Sequence, residues 1–218
     1  MTETIQIEEE LQIIESKKIQ KNAKDNALEE NEQKNLIREI KNIQNMKQYH
    51  KDKFLSLVYL MMKAGLRVSE AIQCRLEWFN EDEDGVTITI PKQDKDILNL
   101  RKNWNPKTQS GARTVIFTDE GVGQAVYGFF KANPKGLQFT RQRGHQWIKR
   151  AGQLINKPKL HPHALRSTYA NNLLYLGCDS NTLMYYMGWS SIVTFKNYTK
   201  SNEKFARKDL LNKLKEKQ

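Results

Sequence analysis

A chain of 218 residues has room for one domain and at most a small appendage. Two cysteines, Cys74 and Cys178, give no disulfide framework or zinc spacing and suit a reducing, cytoplasmic setting. The net charge is +11 and uneven: residues 1–47 hold 8 basic and 10 acidic groups, and the rest hold 28 basic and 15 acidic. A basic body of this kind fits a polyanionic partner. No apolar run of about 18 residues occurs, so no membrane span is expected. The acidic start, with Glu8, Glu9 and Glu10, argues against a secretory or transit leader.

Residues 1–47 lack Gly, Pro and aromatics. Ile5, Ile7, Leu11 and Ile14, then Leu36, Ile40 and Ile43, recur at loosely helical spacing. The segment reads as a charged helical extension of one or two helices. A compact body is expected from about residue 48. Phe54, Leu57, Val58, Met61 and Met62 form the apolar face of its first helix, which Gly65 ends. A short helix follows over Val68–Cys74. Asp84-Gly85 is a turn into the alternating strand Val86–Ile90, and Pro91 ends that strand. A polar stretch from Lys92 to Pro106 precedes a second strand, Arg113–Phe117. Asp119 caps a helix reaching Phe130, and another helix spans about Gln142 to Leu154. Helices are further expected at about 163–176, 180–187 and 190–197. Residues 201–218 form the third segment, a C-terminal amphipathic helix with Leu210 and Leu214 on one side. The expected fold class is α+β, mainly α: a helical bundle with a small antiparallel sheet.

Several spacings carry chemistry. Arg67 starts a helix, and Glu70 lies three residues on, on the same face. His163 and Arg166 share that spacing, so both reach one point. His161 is a rival histidine, but five residues from Arg166 it is expected off that face. Arginine grips phosphate well because its planar fork matches two oxygens and stays charged. A carboxylate beside it, here Glu70, orients such a side chain. Trp189 follows Gly188 and offers an N–H donor. Tyr198, nine residues later, carries a phenol that becomes a nucleophile only where cations favour the phenolate. Lys107 sits just before the second strand, where a lysine can protonate a leaving oxygen, and Lys92, Lys95 and Lys102 are rivals. Each of these residues alone more often serves packing or solvated surface.

Together, Gly65-Leu66-Arg67-Val68-Ser69-Glu70, Pro162-His163-Ala164-Leu165-Arg166, Gly188-Trp189 and Tyr198 resemble the tyrosine recombinases, the phage-integrase family. The resemblance covers about residues 50–200. Trp104-Asn105-Pro106-Lys107-Thr108 and Ala112-Arg113-Thr114 look most like integrases of archaeal viruses and plasmids. The family resemblance implies a catalytic domain over residues 48–200 that acts on double-stranded DNA. It implies Arg67, Lys107, His163, Arg166 and Trp189 as catalytic, Tyr198 as nucleophile and Glu70 as their support. It implies a 3′-phosphotyrosyl intermediate without metal or cofactor, a homotetramer on two DNA sites and a role for accessory DNA-binding proteins. It also implies that the last helix docks on a neighbouring subunit. Two departures stand out. Family members usually carry a core-binding domain of several helices, which 47 residues do not supply. Many also have histidine where Trp189 stands. A non-catalytic DNA-binding remnant and a type IB topoisomerase-like enzyme are the alternative readings.

Overall fold

The computed structural model describes residues 27–92, 111–192 and 195. Their elements run α1 (Glu30–Lys41), α2 (Gln48–Met62), α3 (Val68–Gln73), β1 (Phe79–Asp82), β2 (Gly85–Ile90), β3 (Arg113–Ile116), α4 (Glu120–Ala132), α5 (Arg141–Leu154), α6 (Pro162–Tyr175) and α7 (Ser180–Met187).

α2 carries the core. From Phe54 to Met62 every side chain is buried, the pattern of a helix covered on all sides. α1, α3, α4, α5 and α6 pack against it. The sheet is antiparallel in the order β1-β2-β3, with Phe79 opposite Ile88 and Ile90 opposite Arg113. Val86, Ile88 and Ile90 alternate inward from β2 beneath α4, while Thr89 faces out.

Local chemistry fixes the helix ends. The Asp119 carboxylate accepts from the Val122 N–H at 3.0 Å and starts α4. Thr140 caps α5 through the Arg143 N–H at 3.1 Å. Pro162 opens α6, where its missing N–H costs nothing. Asp179 caps α7, which Gly188 closes in the left-handed conformation at φ 55°. Most boundaries fall within one or two residues of those expected.

Two expectations change. The division at residue 47 does not separate α1 from the body. Leu36 and Ile40 are fully buried in the main core and Leu28 almost so. The Leu28 N–H donates to Thr168 Oγ1 at 2.8 Å, and Gln33 bonds Asn172 at 3.1 Å. The thin apolar stripe of α1 therefore covers α2 and α5 and is not the exposed face of an extension. The second change is β1, an unexpected strand. Its residues Phe79-Asn80-Glu81-Asp82 lack alternation and are held by pairing to β2 at the sheet edge.

Candidate active site

The site forms where α2 ends, α3 and α6 begin and α7 ends. Arg67 precedes α3 in extended backbone. Its N–H donates to Glu70 Oε2 and its Nη1 to Glu70 Oε1, each at 2.7 Å. The three-residue spacing thus holds both ends of Arg67 against one carboxylate, half of a capping box. Glu70 is buried. It also accepts from Arg113 Nη2 at 3.0 Å and Nη1 at 3.2 Å. Arg166 Nη1 lies 3.7 Å from the same carboxylate. Burial opposes charge on Glu70, but Arg113, Arg166 and Arg67 override it and hold the carboxyl at about 2.

One carboxylate does not neutralise three guanidinium groups. Backbone carbonyls take up much of the excess. Gly65 O accepts from Arg166, and Gly111 O accepts from Arg113 at 2.9 Å. Three consecutive carbonyls at the end of α7 each meet a different arginine. Tyr186 O accepts from Arg113 Nε at 2.8 Å, Met187 O from Arg166 Nη2 and Gly188 O from Arg67 Nη2 at 3.1 Å. A helix C-terminus presents unsatisfied carbonyls at the negative end of its dipole, which suits cations. Gly65 is required by crowding as well as by its φ of 67°. A Cβ there would lie 2.3 Å from the Tyr169 ring, so the chain turns tightly and aims its carbonyl at the cluster.

Arg67, His163 and Arg166 line one cavity of about 250 Å³. The two arginines and the histidine expected to converge are therefore together, with Glu70 beneath them. His163 lines the cavity and is itself exposed, though enough protein lies around it to desolvate the imidazole. Burial first, then Arg166, His161 and Arg67, push the imidazole down to about 4. It is neutral near pH 7, so one ring nitrogen accepts a proton or hydrogen bond and the other donates.

Trp189 does not line this cavity. Its ring packs with the smaller apolar cluster of Tyr169, Leu173, Leu183 and Met187, and its backbone N–H donates to Met184 O at 2.9 Å. Phe195 packs on the same cluster. Lys107 and Tyr198 lie outside the described residues, as do Lys95, Lys102, half of the expected 190–197 helix and the expected C-terminal helix. Lys92 is exposed just after β2.

Sequence spacing missed four participants. Arg113 is the most important, because it binds Glu70 and α7 at once. Strand parity carried the signal: Arg113 shares the inward face with Val115 and Phe117. His161 does line the cavity, contrary to its five-residue offset, because it precedes α6 in extended backbone and helical spacing does not apply to it. Arg141 and His145, four apart on α5, also line the cavity.

The model of the phage integrase family matches residues 26–204. Curated relatives include tyrosine recombinase XerD of Haemophilus ducreyi, 29% identical over 150 residues, which cover 66% of this chain and 48% of that protein. Tyrosine recombinase XerC of Staphylococcus aureus is 24% identical over 158 residues, 72% of this chain and 51% of that one. The chain thus spans about half the length of these relatives. Among solved structures, XerA recombinase superposes with a TM-score of 0.61 at 21% identity, covering 83% of this chain and 62% of that one. XerH bound to its difH substrate gives 0.59 at 19%, covering 79% and 50%. These structures share its mainly helical fold with a small sheet. Matched across most of its length, the chain belongs to the phage integrase family.

Proposed function

We propose that this chain is a site-specific DNA recombinase that cuts and rejoins strands through a phosphotyrosyl bond. One observation carries the reading. Arg67, Arg166 and His163 line a single cavity, its two arginines lie against the buried Glu70 carboxylate, and that cluster holds more positive than negative charge. A phosphodiester supplies the missing anion.

In the proposed reaction the two arginines hold the non-bridging oxygens, on which charge concentrates in the transition state. Losing one such donor typically costs about 100- to 1000-fold in rate. The Tyr198 oxygen attacks phosphorus and its proton leaves to a base, with neutral His163 a suitable acceptor. The bond from phosphorus to the 5′ oxygen breaks, and Lys107 protonates that oxygen. The 3′-phosphotyrosine conserves the bond energy until a 5′-hydroxyl from a partner strand reverses the step. XerH bound to difH and a Tn1549 transposon integrase in complex with transposon right end DNA support duplex DNA as the substrate. Exchange between two duplexes requires several protomers, and a homotetramer, with accessory DNA-binding proteins, is the assembly this reading implies.

The test uses a pool of nicked duplexes of randomised sequence. Cleavage next to a nick releases a short strand and traps the adduct, which is recovered on a denaturing gel and sequenced. Wild-type protein should yield a covalent adduct, and Tyr198→Phe should not. Retained DNA binding with no wild-type adduct would favour the non-catalytic remnant. An adduct that survives Tyr198→Phe would move the nucleophile elsewhere.

A further inference from the structure

A second cavity, of about 610 Å³, lies away from the catalytic cluster, between the turn joining α1 to α2 and the outer face of α5. Lys47, Lys53, Arg143 and Arg150 line it together with Trp147 and Phe139, and no Asp or Glu is among its described lining residues. No ion pair engages these four cations among the described residues. Lys53 Nζ sits 4.5 Å from the centre of the Phe139 ring. The groove therefore combines unneutralised cations with aromatic surface. Its complement is a strand of chain carrying both carboxylates and aliphatic side chains.

Residues 1–16 have that composition. They hold Glu3, Glu8, Glu9, Glu10 and Glu15, no Lys or Arg, and the aliphatic residues Ile5, Ile7, Leu11, Ile13 and Ile14. Reach is sufficient. The 11 residues from 17 to 27 span up to roughly 36 Å when extended. α1, whose 12 residues lead from beside Leu28 to the groove, is roughly 18 Å long. Sixteen residues with five carboxylates gain little from a DNA backbone, which repels them, and much from a basic, aromatic groove.

We propose that residues 1–16 dock in this groove on their own protomer and neutralise it, so that DNA must displace them to use its cations. The docking rests on charge and reach and not on the recombinase reading; the competition with DNA adds a consequence for that reading.

The full chain tests it in two steps. First, without DNA, a carbodiimide is used to join carboxylates to amines within hydrogen-bonding range, and the cross-links are mapped by mass spectrometry in the monomer fraction. Joins from Glu8, Glu9 or Glu10 to Lys47 or Lys53 are expected, and they should fade in high salt. Their absence, or their confinement to a cross-linked dimer, overturns docking in cis. Second, Glu8→Gln, Glu9→Gln and Glu10→Gln are combined and low-salt affinity is measured on random duplex. Affinity should rise about three- to tenfold. With Arg143→Gln and Arg150→Gln also present, the same three substitutions should change it less than about twofold. An equal gain with and without those arginines would show a general charge effect and overturn the proposal. Failure of the covalent-adduct assay with the cross-links intact would instead count against the recombinase reading alone.

Discussion

Arg113 and Glu70 form a doubly hydrogen-bonded ion pair in the interior, with contacts of 3.0 and 3.2 Å and side chains 1% and 4% exposed. Removing one partner of a buried pair strands the other, typically at about 3–5 kcal/mol. Arg113→Met should therefore lower the denaturant midpoint strongly at unchanged slope. Adding Glu70→Gln should deepen the loss, because Arg67 and Arg166 then lack the one carboxylate they share. A loss below about 1 kcal/mol would mean that Arg67 and Arg166 hold Glu70 without help.

Arg67→Lys and Arg166→Lys should each reduce adduct formation by about 100-fold or more while changing DNA affinity far less, because lysine keeps the charge and loses the fork. Lys107→Ala should also slow cleavage, but through the leaving group. A 5′-bridging sulfur leaves without protonation, so it should rescue Lys107→Ala and not Arg166→Ala. Lack of rescue would move the acid to Lys92, Lys95 or Lys102.

His163, held near 4, should remain neutral in the free protein at pH 5.5, where an ordinary histidine is mostly charged. The sign follows from the lowered value. Its neutral form favours the fold above about 6.5, and that contribution is lost as pH falls through about 4. The exposure of His163 screens the effect on stability, so the charge state itself is the quantity to follow by imidazole NMR. A bound phosphate adds an anion to the cavity and should raise the value. A charged imidazole at pH 5.5 without ligand would show that solvent controls the ring.

Leu36→Ala should destabilise the protein by about 2–5 kcal/mol, the usual cost of emptying a filled core position. Leu36 is fully buried. A change within about 0.5 kcal/mol, as at a surface position, would return α1 to the status of a separable extension.

Sequence spacing exposed most of the frame because its signals are local. Asp119, Thr140 and Asp179 cap where side-chain oxygens meet orphan N–H groups, and Arg67–Glu70 and His163–Arg166 lie one helical turn apart. What stayed hidden was set by tertiary contacts. The stripe of Leu36, Ile40 and Ile43 announced an amphipathic helix without saying which surface it covers. β1 has no pattern of its own and exists because β2 pairs with it. Arg113 looked like one more basic residue near a hairpin, since strand parity marks a buried position but not a buried charge's partner 43 residues earlier.

The grip of three arginines on Tyr186, Met187 and Gly188 ties the cavity to the end of α7 as one lever. Two of those arginines, Arg67 and Arg166, face the cavity, so an arriving anion bargains with the end of α7 for the same N–H groups. Occupancy of the cavity is thereby felt at the Met187 and Gly188 carbonyls, through the guanidinium groups themselves.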